Sequence, residues 1–183
     1  SPLGKKSSFI FSARRSYLQF LFTALKLPFL PTYSDFQYKH TFRFNTKNKL
    51  NIIGLGAIDD FELNKAVNDG ETDADVIERN NYILGNLPIS TQWNYTIGAN
   101  YTHYSKNSYQ TVVLSRNMLN NESIKYEENI EVPDNLILRY KSQEIENKLR
   151  IEHTYRKKGW KWNVGGGMQA VKYNNSTFNK VVI

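Results

Sequence analysis

The sequence predicts an all-β protein whose antiparallel up-and-down strands form part of a transmembrane β-barrel. Three observations predict this fold. Several stretches alternate apolar and polar residues with a period of two, short and long connections alternate between the strands, and aromatic residues gather beside the short turns. About seven strands are expected, which makes a partial barrel.

The overall composition is compatible with a barrel wall, although it resembles that of a soluble protein. The 183-residue chain is 40% hydrophobic and 22% charged, with a mean hydropathy of −0.57. A barrel wall keeps its average hydropathy in this range because lipid-facing apolar residues alternate with lumen-facing polar ones. The 12 Tyr, 10 Phe and 3 Trp favour β-structure. No apolar run reaches 18 residues, so no transmembrane helix is expected.

The first predicted strand, at residues 7–21, places Arg15 in the same parity series as Phe9, Phe11 and Tyr17. A lipid-facing Arg near mid-membrane costs about 2–4 kcal/mol. We therefore expect Arg15 near an interface or turned inward by a bulge. Residues 16–27 also match a short helix, which remains an alternative for that part.

The other strands are predicted near residues 34–45, 49–59, 81–95, 98–116, 138–155 and 160–173. Alternation is clearest at residues 36–45 and 145–155, where an apolar face lies opposite a polar or charged one. Pro88 deletes a ladder hydrogen bond, so the strand at 81–95 is expected to have a bulge or break there. The candidate lumen-facing residues on the polar side are Gln37, Lys39, Arg43, Glu144, Glu146, Lys148, Arg150 and Glu152.

The predicted connections alternate in length. Short turns are expected at residues 45–48, 95–98 and 156–159, and long connections at 22–33, 60–80 and 117–137. Transmembrane barrels have tight periplasmic turns at one end and extended extracellular loops at the other. Aromatic residues beside the short turns then form a candidate girdle at the membrane interface, made of Phe44, Trp93, Tyr95, Tyr155, Trp160 and Trp162.

The sequence does not predict a metal or cofactor site, a catalytic site or a nucleic-acid-binding site. The chain has no Cys, and His40, His103 and His153 lie in aromatic or apolar series, so neither a metal site nor another cofactor is expected. The acidic run at residues 69–75 lacks the order of a calcium-binding loop and is expected to be solvated. Mixed charges on one strand face are typical of a wet lumen wall, so no enzyme is predicted. The net charge of +7 is spread over several strands without a nucleic-acid-binding motif, and no nucleic-acid partner is expected.

The most distinctive segment is Ser8-Phe9-Ile10-Phe11-Ser12-Ala13-Arg14-Arg15-Ser16-Tyr17-Leu18. It resembles the early barrel strand, just after the plug, of TonB-dependent outer-membrane receptors, a phrase of the form S-F-I-x-S-[AG]-R-R-[ST]-Y. Further similarities are the polar turn at residues 45–48 before Lys49-Leu50-Asn51, and Gln92-Trp93-Asn94.

The resemblance implies a transporter of about 22 strands in the outer membrane of a Gram-negative bacterium, with this chain supplying about a third of the wall. Members of the family import siderophores, cobalamin, glycans or peptides, driven by TonB through a plug domain. The implied partners are the remaining barrel and the plug domain, TonB acting through that plug, outer-membrane lipid, an unknown transported ligand and a surface lipoprotein.

Residues 1–183 are expected to be a single segment of such a barrel, without a plug domain, a TonB box, a closing carboxy-terminal strand or a second domain. Residues 1–6 do not resemble a signal peptide, so the chain is expected to be mature or excised from a longer one. The alternative function is a soluble or surface-displayed β-rich binding module, such as an adhesin-like sandwich.

Overall fold

A computed structural model describes residue 4 and residues 6–180 of the chain. The prediction about residues 1–6 therefore falls largely outside the described residues. The seven strands are β1 Ser7–Arg15, β2 Phe29–Arg43, β3 Asn48–Leu63, β4 Ile89–Tyr104, β5 Ser108–Tyr126, β6 Leu136–Lys157 and β7 Trp160–Asn179. The α-helices are α1 Leu18–Ala24 and α2 Ala74–Asn86, and short 3-10 helices span Glu127–Asn129 and Pro133–Asn135.

The seven strands form one antiparallel sheet in the order β1-β2-β3-β4-β5-β6-β7, so each strand pairs with its neighbours in sequence. This confirms the predicted β-rich, up-and-down arrangement. The sheet is open, because β1 and β7 are its two edges and do not pair with each other. Most strands are longer than a bilayer crossing requires, and β5, β6 and β7 contain 19, 22 and 20 residues.

Short and long connections alternate as predicted. Residues 44–47, 105–107 and 158–159 form short turns at one end of the sheet, while residues 16–28, 64–88 and 127–135 form long connections at the other. In a meander every second connection lies at the same end of the sheet, so the three short turns share one end and the three long connections share the other. We call these the short-turn end and the long-connection end.

The predicted strand at residues 7–21 is wrong beyond Arg15, where a short helix follows. The backbone N–H of Leu18, the first residue of α1, donates to Ser16 Oγ at 3.0 Å. The helical alternative for this segment is therefore confirmed. Arg15 pairs with Ser34 as the last residue of β1, so it lies toward the long-connection end rather than at mid-strand.

The predicted turn at residues 95–98 is also wrong, because β4 continues without interruption to Tyr104. A Cβ at Gly98 would lie 3.3 Å from the backbone oxygen of Leu114, so this glycine serves close strand packing within β4. The next short turn is at residues 105–107 instead.

The predicted strand at residues 81–95 begins too early, because residues 81–86 belong to α2. The carboxylate of Asp73 caps this helix by accepting from the backbone N–H of Asp75 at 3.0 Å and of Val76 at 3.4 Å. Pro88 lies between α2 and β4, which confirms the expected break. The alternation of residues 83–93, which predicted one strand, therefore covers the end of α2 and the start of β4.

The buried apolar core lies at the long-connection end and not within the sheet. Leu63, Val67 and Leu84 are the buried hydrophobic residues in the described part of the chain, and Phe61, Leu87 and Ile89 pack partly buried against them. This small cluster holds α2 against the ends of β3 and β4.

Lys125, near the end of β5, fastens the carboxy-terminal end of α2. Its ammonium donates to the backbone oxygens of Leu84 at 2.8 Å and Leu87 at 3.1 Å, and to Asn129 Oδ1 at 2.7 Å. These carbonyls belong to the last helical turn and the residue after it, which have no further intrahelical donor. A cation at this position also complements the helix dipole.

We expect Lys125→Met to loosen α2 by about 1–2 kcal/mol without unfolding the sheet, because three charge-assisted hydrogen bonds are lost at the helix end. Hydrogen exchange of the amides in residues 74–86 measures this local opening. Lys47→Met, in the short turn at the opposite end, is the matched control. Unchanged exchange in α2 would show that Lys125 does not hold the helix.

Candidate functional site

The strand register sorts the side chains onto two chemically different faces. Residues paired across antiparallel strands point to the same side, so the alternation of every strand can be joined into one surface. One face, which we call the apolar face, carries an apolar band. The band consists of Phe9, Phe11, Ala13, Phe36, Tyr38, His40, Phe42, Leu50, Ile52, Gly54, Gly56, Ile58, Trp93, Tyr95, Ile97, Ala99, Tyr101, Val112, Leu114, Met118, Ile145, Leu149, Ile151, Tyr155, Trp162, Val164, Gly166, Met168 and Ala170.

The length of the apolar band can be followed along β3. From Leu50 to Ile58, at about 3.4 Å per residue, β3 covers roughly 27 Å. In a membrane barrel, whose strands tilt by about 40°, this length would correspond to a height of roughly 21 Å, compared with an apolar band of about 25 Å. Beyond Ile58 the same face becomes polar, with Asp60 on β3 and Glu122 on β5.

The apolar band is uncovered in this sheet. Leu114 is 58% exposed, Ile97 53% and Met168 71%, and no large side chain in the described residues is fully buried. Contiguous exposed apolar surface of this extent is unusual on a soluble monomer. The band therefore requires a covering phase or a covering partner.

Arg116 and Asn147 interrupt the band, and the sequence patterns did not single them out. Arg116 Nε donates to Tyr95 Oη at 3.2 Å, and Arg116 Nη1 donates to Asn147 Oδ1 at 3.5 Å. The three polar groups lie on adjacent strands β4, β5 and β6. Each thus meets another polar group inside an otherwise apolar surface.

All six predicted girdle residues lie on the apolar-face side, but at two different heights. Tyr155, Trp160 and Trp162 flank the turn at residues 158–159, and Phe44 follows the end of β2 at the same end of the sheet. Trp93 and Tyr95 do not flank a short turn, because β4 extends to Tyr104. They lie at the limit of the band nearer the long-connection end. Aromatic residues thus border the band on both sides.

All eight predicted lumen-facing residues lie on the opposite face, which we call the polar face. At its centre, Glu146 accepts from Asn117 Nδ2 at 2.8 Å and forms an ion pair with Lys148 at 2.7 Å. Gln169 Nε2 also donates to the Glu146 carboxylate. Arg150 and Glu152 form a second pair at 3.4 Å, so these charges are largely balanced within the sheet. Asn117 and Gln169 complete this network and were missed because register, not sequence spacing, brings them to Glu146.

The long connections contact one another through ion pairs. Lys26 lies 3.2 Å from Glu71 and joins the first connection to the second. Lys65 lies 2.7 Å from Glu131 and joins the second to the third. Exposed pairs of this kind contribute little stability, but they bring the three connections together at one end of the sheet.

Glu71 has a lowered pKa, because its carboxylate accepts from the backbone N–H of Thr72 and then of Asp73, and lies beside Lys26. A lowered carboxyl pKa gives stability that is present above the ordinary value of 4.5 and lost as the pH falls through the lowered pKa. We expect an NMR titration of the Thr72 and Asp73 amides to have its midpoint below 4.5, and Lys26→Met to raise that midpoint partly. A midpoint at or above 4.5 would contradict the hydrogen-bonding arrangement.

The three histidines all lie on the apolar-face side, and His40 and His103 form side-chain hydrogen bonds there. His40 contacts Ser7 Oγ at 2.6 Å and Tyr38 Oη at 2.9 Å, and its ring stacks on Phe42 at 3.8 Å. His103 Nδ1 lies 2.7 Å from Asn48 Oδ1. No group of three or more metal-ligating side chains occurs within residue 4 and residues 6–180. None of the helices in the same residues is long and apolar enough to cross a membrane.

Comparisons with protein-family models, curated proteins and solved structures gave no match for this chain.

Proposed function

We propose that this chain is part of the wall of a transmembrane β-barrel in the outer membrane of a Gram-negative bacterium. The observation that carries the proposal is the uncovered apolar band, which runs across all seven strands opposite a polar, charged face. Lipid covers such a band while the polar face turns toward a wet lumen. Arg116, in the middle of the band, would cost about 2–4 kcal/mol in lipid, and its hydrogen bonds to Tyr95 and Asn147 partly offset this cost. The aromatic residues at both limits of the band match the two membrane interfaces.

The open edges of β1 and β7 define what else such a wall needs. Unpaired backbone N–H and C=O groups in lipid cost several kcal/mol each, so a stable wall must pair both edges with further strands. The partner for these edges is the remainder of the barrel. This requirement makes the proposed wall dependent on its parent protein.

Within this proposal, the parent protein is a TonB-dependent importer of a nutrient such as a siderophore, cobalamin, a glycan or a peptide. The support is the resemblance of residues 8–18 to the first strand after the plug. The long connections would lie outside the cell and help to capture the ligand, while the polar face contacts the plug or the solute path. TonB acts through the parent's plug, and a surface lipoprotein is a further proposed partner.

Detergent dependence tests the wall proposal. We expect the parent protein that contains this chain to be monodisperse and β-rich only when detergent or lipid covers the band, as followed by size-exclusion chromatography and circular dichroism. A monodisperse sample that unfolds cooperatively without detergent would contradict the proposal and favour the soluble or surface-displayed binding module.

The importer assignment has a separate test, because it concerns the parent protein. We expect the reading frame upstream of Ser1 to encode a plug domain. An upstream region without a plug would remove the importer assignment while leaving the membrane wall intact.

A further inference from the structure

A cleft of about 440 Å³ lies at the hairpin that joins β6 to β7, on the side of the apolar face. It is lined by Tyr155, Lys157, Lys158, Trp160 and Trp162. Three of these side chains are aromatic and two are cationic. The cleft therefore combines ring surface with positive charge at the short-turn end of the sheet.

The hairpin fixes the arrangement of these side chains. Tyr155 pairs with Trp162 and Lys157 with Trp160 across the two strands. Lys158 and Gly159 form the connection with φ values of 47° and 82°, and tight two-residue hairpin turns have positive φ at such positions. Directly opposed residues have Cβ atoms about 4.5–5.5 Å apart, so the rings and the lysines share one small surface.

The positive charge of the cleft is not neutralised by the protein. Lys157 and Lys158 are exposed, and neither forms an ion pair within residue 4 and residues 6–180. Residues 43–49, 102–111 and 153–163, which contain the three short turns, include eight Lys or Arg residues and no Asp or Glu. An anion at the short-turn end therefore meets cations without a competing carboxylate from these segments.

The cleft is continuous with the apolar band. From Trp162 the band runs along β7 through Val164 to Met168 on the same face. Trp160 is 71% exposed and Trp162 61%, and tryptophans beside an apolar band are typical of the headgroup level of a membrane. A further strand would pair with the free edge of β7 in the plane of the sheet, so the cleft on its face would stay accessible.

We propose that this cleft binds an anionic phospholipid from the leaflet that borders the short-turn end. The lipid phosphate accepts hydrogen bonds from the ammonium groups of Lys157 and Lys158. The rings of Trp160 and Trp162 contact the glycerol region, and the acyl chains lie along the apolar band beyond Val164. This inference rests on the proposed membrane wall, because it requires the apolar face to contact lipid.

The charges and the apolar surface together favour this ligand over two others. A zwitterionic headgroup carries its own ammonium, which would lie beside two lysines with no carboxylate to receive it. An acidic peptide pairs with the lysines but leaves the rings and the band uncovered. An anionic phospholipid covers both parts of the surface.

The test measures which lipids lie next to the cleft in the parent protein, refolded in mixed lipid vesicles. A bimane fluorophore is attached to a cysteine at Val164, and its quenching is compared for phosphatidylglycerol and phosphatidylcholine with the same brominated acyl chains. We expect phosphatidylglycerol to be favoured about tenfold or more, because each lysine near an anionic lipid contributes about a fivefold factor.

Lys157→Gln combined with Lys158→Asn removes both cations, and Asn is chosen at position 158 because it tolerates positive φ. We expect this double variant to lower the preference to about twofold or less. Lys47→Gln combined with Lys49→Gln is the matched control at the same end. Its turn lies four strands away, roughly 19 Å at about 4.8 Å per strand, where salt screens the charge, so the preference is expected to persist. Circular dichroism establishes that both double variants keep the sheet.

The outcomes separate this inference from the membrane wall. Equal quenching by the two lipids, or an equal loss of preference in the control variant, would overturn the phospholipid site and leave the wall intact. Displacement of the lipid by free glycerol phosphate or by a hexaglutamate peptide would also overturn it, because the cleft would then take a soluble anion or an acidic protein. No quenching by either lipid would contradict the wall itself.

Discussion

Ile52→Arg is expected to destabilise the protein in a lipid bilayer by about 2–4 kcal/mol, whereas Ile53→Arg next to it costs less than about 1 kcal/mol. The two residues have the same side chain and adjacent positions on β3. Ile52 lies in the apolar band opposite His40 and Ala99, while Ile53 lies on the polar face opposite Lys39 and Gly98. If the apolar band contacts lipid, only the Arg at position 52 has to enter hydrocarbon.

The pair of variants separates a membrane wall from a sheet in water. Both isoleucines are partly exposed in the sheet, so in water the two substitutions would have similar small effects. Ile53→Arg adds a like charge opposite Lys39, which is already included in the smaller value. Urea titration of the parent protein, in which further strands pair with β1 and β7, measures the difference after refolding in lipid vesicles. Equal losses for both variants would contradict the assignment of the apolar band to lipid.

Gly167→Ala is expected to destabilise the pairing of β6 with β7 by about 1–3 kcal/mol, because a new methyl group has no room. An ideal Cβ at Gly167 would lie 2.8 Å from the backbone oxygen of Leu149 and 3.5 Å from Arg150 Cα. The obstructing atoms belong to the backbone and cannot rotate away. This glycine permits close approach of two strands.

Gly166→Ala is the matched control for this prediction. Nothing lies within 4 Å of a Cβ at Gly166, and Ala loses less backbone entropy than Gly on folding. We expect this variant to be neutral, or more stable by up to about 0.5–1 kcal/mol. The urea midpoints of the two variants provide the measurement. A larger loss for Gly166→Ala than for Gly167→Ala would show that the strand approach is not what limits this position.

The strand pattern was predictable where one periodicity ran without interruption. Residues 36–45 alternate so strictly that the two faces of β2 follow from the sequence alone. The eight candidate lumen residues could be placed on one face for the same reason, because register carries parity from strand to strand. Contacts such as Asn117 with Glu146 require the register itself, which sequence spacing does not provide.

The ends of the elements were not predictable, and each error has a physical reason. Gly98 is a turn-forming residue, yet here it serves close packing against Leu114 in the middle of β4. Ile83, Gly85 and Leu87 share the parity of Trp93 by coincidence, and the first two lie in the helix that Asp73 caps. A capping Asp followed by apolar residues three and four positions apart was the signal that identifies α2.

The central claim is that one face of the sheet contacts lipid and the other contacts water. The chain contains no Cys, so single cysteines introduced at residues 92–101 of β4 can each carry one nitroxide label without background. Accessibility to oxygen and to a water-soluble nickel complex is then measured for the protein in lipid vesicles. The central claim predicts that the oxygen accessibility and the nickel-complex accessibility each alternate with a period of two. Oxygen accessibility is expected to be highest at Trp93, Tyr95, Ile97, Ala99 and Tyr101. Equal access to the nickel complex at all ten positions, or alternation in the opposite phase, would contradict it.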